Sequence, residues 1–173
     1  DSQAAIVSPR IYAEQVQGDD TPALTNGVWQ NVTVTYDGSK DPNNIKFFVN
    51  GVEILEVSDR TAEPNYTFLR SNAAVQTVIG GNHLPNTGTF EDQIADVCLY
   101  NKKLTAAEVL EVYNGGRVKD MERFSAYDSI ISWWKMGDDL DALGDSGIRD
   151  YVGTNHGTAA NTTTIVKTEG LES

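Results

Sequence analysis

Five aspartates, Asp138, Asp139, Asp141, Asp145 and Asp150, fall within one glycine-punctuated stretch. Hard cations take several oxygen ligands, and carboxylates on a turning loop can converge on one, so calcium is the cation this stretch would hold. Read as an EF-hand loop it is degenerate, because Leu143 occupies a ligand position and Asp150 closes the loop in place of glutamate. The competing reading is a solvated acidic turn. Aromatic side chains supply a second chemistry, since a flat ring matches the apolar face of a pyranose. Trp133, Trp134, Tyr66 and Tyr151, with Trp29, are the candidates. Adjacent Trp133 and Trp134 point to opposite sides of a strand, so one is expected in the core and the other exposed. The histidines, His83 and His156, lie in loop-like surroundings and in no motif that implies a general base. The Gly80-Gly81 and Gly115-Gly116 pairs lack the spacing and the lysine of a phosphate loop. Cys98 is the single cysteine, which excludes an intrachain disulfide and a cysteine-based metal site. Its place on an alternating strand reads as a buried thiol.

Short β-elements must position these groups. Val32, Val34 and Tyr36 alternate with Asn31, Thr33 and Thr35, the period of a strand. Asp37-Gly38-Ser39 turns the chain, and Ile45 to Val49 resumes the β pattern. Asn50-Gly51 then separates it from Val52 to Val57, a hairpin signal, because a type I′ turn needs positive φ at both central positions. Further strands are expected at 67–70, 75–79, 93–100, 130–136 and 163–167. The spacing Thr105-Ala106-Ala107-Glu108 predicts a helix with a capping box. Leu104 and Val109 sit where a hydrophobic staple packs, and Gly115 is placed to end the helix in a left-handed turn. Residues 116–128 are charged, lack a period and read as a linker.

The 173 residues suit about one domain. A hydrophobic fraction of 39% is enough for a core and excludes wholesale disorder. With 25 acidic and 13 basic residues the net charge is −12, which disfavours nucleic acid and anionic membranes unless a basic patch forms. No such patch is legible in the linear sequence. Its densest basic stretch, Arg117 to Arg123, is diluted by Asp120 and Glu122. No apolar run approaches the roughly 18 residues that span a bilayer.

Four motifs occur in family order. Trp29-Gln30-Asn31-Val32-Thr33-Val34-Thr35-Tyr36-Asp37-Gly38 precedes Phe47-Phe48-Val49-Asn50-Gly51; Val78-Ile79-Gly80-Gly81 follows, then Phe90 to Tyr100 running into Asn101-Lys102-Lys103-Leu104-Thr105-Ala106-Ala107-Glu108-Val109. The chain resembles the laminin-G-like, concanavalin A-like jelly-roll superfamily of lectins and glucanases. The resemblance implies an all-β fold, an antiparallel jelly-roll sandwich with one short capped helix, built largely from residues 1–115. Asp92 and Ala95 depart from that pattern, which puts in doubt a family-type calcium site at this strand end. Trp133 to Asp138, and Asp150-Tyr151-Val152-Gly153-Thr154-Asn155-His156-Gly157-Thr158, are similar to how such a domain begins, yet they follow the helix that ordinarily ends it. Residues 129–173 are therefore opening strands of a second repeat, or strands completing the same or a neighbouring sandwich.

By resemblance, the expected function is a non-catalytic recognition or adhesion module, a lectin, on an extracellular protein or a virion surface. Its partner would be carbohydrate or a protein surface. The alternative is a purely structural decoration or fibre component, which would form homo-oligomers or exchange strands with a neighbouring chain. The glycoside hydrolase reading is weaker, because Glu91-Asp92-Gln93-Ile94-Ala95-Asp96 lacks the spacing of the paired carboxylates in the superfamily's glucanases. The expectation is thus no enzyme, no cofactor except calcium, no nucleic acid and no membrane insertion.

Overall fold

The computed structural model describes residues 11–15, 24–25, 27–54, 57–62, 77–81, 90, 92–117, 120–136 and 147–159. The chain forms two compact units, residues 1–69 with 102–125, and residues 70–101 with 126–173. Every pairing between described strands is antiparallel.

In the first unit, β1 (Ile11–Gln15) pairs with β5 (Val57–Ala62). A separate sheet joins β2 (Val32–Thr35), β3 (Lys46–Val49) and β4 (Val52–Ile54) in that order. Asn50 and Gly51 reverse the chain between β3 and β4 with φ of 51° and 78°, the left-handed pair that a type I′ turn requires. The turn is also tied sideways: Asn50 N–H donates to the Asn31 carbonyl at 2.9 Å, and its Oδ1 accepts from Asn31 N–H at 3.0 Å. Gly51 has a second reason to be glycine. A Cβ there would lie 2.9 Å from Leu110 Cδ1 and 3.3 Å from Leu110 Cα, on helix α1 (Ala106–Tyr113).

The alternation along β2 holds, with burial on the threonine side. Thr33 lies opposite Phe48, which is 2% exposed, and Thr35 is buried, while Val32 and Val34 are exposed. The other face carries Phe47 opposite Val34 and Ile54, and buries Val49 and Ile54, so this sheet buries apolar side chains on both sides.

Helix α1 starts as the sequence implies. Thr105 Oγ1 accepts from Glu108 N–H at 3.2 Å, Glu108 Oε2 accepts from Thr105 N–H at 2.8 Å, and Lys102 ion-pairs with Glu108. Leu104 and Val109 are both buried, Val109 completely. The exit differs by one residue, because Asn114 already adopts the left-handed conformation (φ 48°) before Gly115. Asparagine is among the few non-glycine residues that tolerate it. The last of the three points at which the chain passes from one unit to the other, Ser125/Ala126, falls inside the 116–128 stretch. That stretch is more structured than a linker: it contains the 3-10 turns Met121–Arg123 and Tyr127–Ser129 and buries Met121 and Phe124.

In the second unit, β6 (Val97–Tyr100) pairs with β7 (Ile130–Trp134), setting Val97 opposite Trp134 and Cys98 opposite Trp133. The strand expected over 93–100 is shorter, because Asp96 takes φ 51° and interrupts the extended backbone. The segment whose motif resembles a domain opening thus pairs with a strand of its own chain. β8 (Gly147–Ile148) and β9 (Gly157–Thr158) form a short pair. Residues 77–79 are not in a strand, and residues 67–70, 75–76 and 163–167 lie outside the described residues. Cys98, expected as a buried thiol, is only part-buried, and that burial still pushes its pKa up to about 12, although a hydrogen bond with Tyr100 acts the other way.

Candidate functional site

β7 places Trp133 and Trp134 on opposite faces, but both are 6% exposed, so the expectation of one open ring is corrected. The loop after β8 supplies the reason. Trp134 Nε1–H donates to the Asn155 carbonyl at 2.8 Å. Trp133 packs against the Tyr151 ring at a centroid distance of 5.5 Å and an interplanar angle of 45°, and its Nε1–H donates to Asp96 Oδ1 at 3.2 Å. Alternation sets the direction of a side chain; covering both directions requires a second segment of chain.

That segment is knotted around Asp150, which is 3% exposed. Its Oδ1 accepts from the backbone N–H groups of Trp133 (3.0 Å), Val152 (3.1 Å) and Gly153 (2.9 Å), and its Oδ2 accepts from Asn155 N–H (3.1 Å). Burial alone would raise its pKa. The hydrogen bonds from Gly153, Trp133, Ser132 and Val152 outweigh burial and bring it down to about 2. Asp150 N–H donates to His156 Nδ1 at 3.1 Å, Asn155 Nδ2 donates to Ser132 Oγ at 2.8 Å, and Tyr151 N–H donates to the Trp133 carbonyl at 2.8 Å. The Asp-x-x-Gly-x-Asn-His pattern therefore has a local mechanical meaning. Asp150 gathers the amides, Asn155 holds Trp134 and Ser132, and His156 accepts the remaining N–H.

Gly153 is the residue that lets the knot close. A Cβ on it would lie 2.7 Å from both Asp150 Oδ2 and the Ile131 carbonyl oxygen. Gly153→Ala is expected to cost about 1–3 kcal/mol through displacement of backbone that has no slack. Urea denaturation checks this, and a cost below about 0.5 kcal/mol, the range of an ordinary surface substitution, would refute the tight fit.

Tyr151 is the one predicted aromatic that the structure leaves half-exposed in this unit. Two cations reach it: Lys135 Nζ lies 4.5 Å from its ring centroid and 4.8 Å from that of Trp133, and Arg149 Cζ lies 5.1 Å from Tyr151. Such contacts are worth about 0.5–1 kcal/mol each at exposed sites. Lys135 and Arg149 are far apart in sequence, so a search for consecutive basic residues does not find them. Tyr66, His83 and Glu91 lie outside the described residues, and Trp29 is exposed in the other unit.

Asp138, Asp139, Asp141 and Asp145 also lie outside the described residues. Asp150 does not fit as a cation ligand: its carboxylate is surrounded by N–H donors, which present positive dipoles where a cation would have to approach. Among the described residues, no group of three or more His, Cys, Asp or Glu side chains is placed to hold a metal, and no helix is long and apolar enough to cross a membrane.

Residues 4–110 match the laminin G type 3 family model, described as the concanavalin A-like lectin/glucanases superfamily. Searches of curated proteins and of solved structures returned no match.

Proposed function

Because the chain belongs to the concanavalin A-like lectin/glucanases superfamily, a family of β-sandwich domains, we propose that it is a non-catalytic recognition or adhesion module whose ligand is carbohydrate. It would be displayed on an extracellular protein or a virion surface, with its antiparallel sheets closed as a jelly roll. One observation carries the reading: the half-exposed Tyr151 ring, seated on Trp133 and fixed by a knotted loop, is a rigid aromatic platform of the kind that stacks on a sugar ring. Asp150 is engaged by amides and Asp96 by an indole N–H, which supports a non-catalytic role for these two carboxylates. Any calcium would have to be held by Asp138, Asp139, Asp141 and Asp145 without Asp150.

A glycan array of the full chain, run in calcium and in chelator, tests this. The wild type is expected to bind a defined set of saccharides, with signal reduced at least about tenfold in Tyr151→Ala, equivalent to the loss of a well-placed contact. Absence of binding to any saccharide would overturn the reading. Signal and melting temperature unchanged by chelator would remove calcium. The alternative, a structural decoration or fibre component, is favoured by one feature, the exposed Val32, Val34 and Val52 side chains on β2 and β4.

A further inference from the structure

We propose that Asn114-Gly115, at the exit of α1, is a self-modification site where the asparagine side chain converts to a carboxylate through a cyclic imide. The Gly115 backbone nitrogen attacks Asn114 Cγ, closing the imide ring as the Cγ–Nδ2 bond breaks. The Gly115 amide proton departs with Nδ2 as ammonia. Water then adds to one of the two ring carbonyls. Opening the new N–Cγ bond leaves aspartate. Opening the bond from Gly115 N to the Asn114 carbonyl carbon leaves isoaspartate, with the chain routed through the side chain. Nothing is oxidised or reduced. Glycine in the second position permits the approach, since no Cβ crowds the attacking nitrogen.

The chain carries its own control. Asn50-Gly51 is the same dipeptide, and the two asparagines share a left-handed backbone, with φ of 51° at Asn50 and 48° at Asn114. What differs is restraint. Asn50 Oδ1 accepts from Asn31 N–H at 3.0 Å, and Asn50 N–H donates to the Asn31 carbonyl at 2.9 Å. Its Cγ cannot turn toward Gly51 N without losing a bond of normal length, and Gly51 is pressed against Leu110. Asn114 is exposed. Its Nδ2 reaches the Arg117 carbonyl at 3.5 Å, and Arg117 N–H reaches the Asn114 carbonyl at 3.4 Å. Both lie beyond the usual range of about 2.7–3.2 Å. A Cβ on Gly115 would meet nothing within 4 Å, and Gly116 follows with φ 83°, so the peptide after Asn114 has room to rotate. The product changes the helix end: a carboxylate at the C-cap meets the negative end of the α1 dipole, and the last turn holds no basic residue. Conversion thus loosens the helix whose Leu110 lies against the Asn50-Gly51 turn.

Peptide mass spectrometry of the full chain, incubated in heavy-oxygen water at pH 8, tests the site. Asn114 is expected to gain a carboxylate carrying heavy oxygen, as a mixture of aspartate and isoaspartate. It should do so about tenfold or more faster than Asn50, the factor set by opening the two Asn31 hydrogen bonds. In urea, where both pairs are released, the two rates should converge. Asn114→Asp, the product of one ring opening, should exchange the amides of the last α1 turn about two- to fivefold faster than the wild type. A rate at Asn114 no greater than at Asn50 in the folded chain, or a difference that persists in urea, would overturn the site. Unchanged amide exchange in Asn114→Asp would overturn the effect on the helix. The carbohydrate-recognition reading is independent of each of these outcomes.

Discussion

Asp150→Ala is expected to destabilise the unit formed by residues 70–101 and 126–173 by about 3–5 kcal/mol, as removal of one partner from a buried charged network does. Four backbone N–H groups converge on this carboxylate, and the alanine methyl satisfies none of them. The same contacts fix the acid behaviour. With the folded carboxyl at about 2 against an ordinary value of 3.8, the ionised form is the one folding favours. Its contribution is complete above the unfolded pKa and is lost as pH falls from about 4 through 2, on the order of 2 kcal/mol in all. The variant should lack that part of the acid limb. Urea titrations followed by tryptophan fluorescence at pH 7, 4 and 2.5 measure both effects. A cost below about 1 kcal/mol would refute the knot, since that is the worth of a single ordinary hydrogen bond. The loss should also be the same in calcium and in chelator; a calcium-dependent loss would reinstate Asp150 as a metal ligand.

Trp134→Ala is expected to cost about 3–5 kcal/mol, the range for truncating a large core aromatic. It removes a 6% exposed side chain opposite Val97 and leaves the Asn155 carbonyl without its indole donor. Trp134→Phe fills most of the space and should cost less, chiefly the lost hydrogen bond of about 1 kcal/mol. Because its ring faces away from the Trp133 and Tyr151 stack, the phenylalanine variant should keep the sugar affinity of the wild type. Chemical denaturation and the glycan array read the two properties separately. A folded Trp134→Phe protein that no longer binds would place Trp134 in the ligand site.

Local signals were the legible part of this fold. The Asn50-Gly51 turn and the Thr105–Glu108 box each depend on residues within four positions of one another, so composition at those positions decides the backbone. The resemblance located the Asp150 loop but not the work of its aspartate. Carboxylate oxygens serve a cation and an amide equally well, and only the surrounding N–H groups tell the two apart. The tryptophan pair was half legible, direction being set within the strand and coverage by residues 150–155. The pairing of Lys135 with Arg149 was not legible, because it exists only once the chain has returned to β7. Along β2, alternation gave the faces but not which of them is buried, since the neighbouring strand sets a phenylalanine against each.

The two connections of the β2–β3–β4 sheet differ in what surrounds them. Between β2 and β3 the chain makes a polar excursion in which Asp37 Oδ1 accepts from Ser39 N–H and a Cβ on Gly38 would meet nothing within 4 Å. Between β3 and β4, Gly51 is pressed against Leu110. A peptide tag or a grafted epitope is therefore accommodated beside Gly38, whereas lengthening the Asn50-Gly51 reversal by even one residue lifts the helix from its seat.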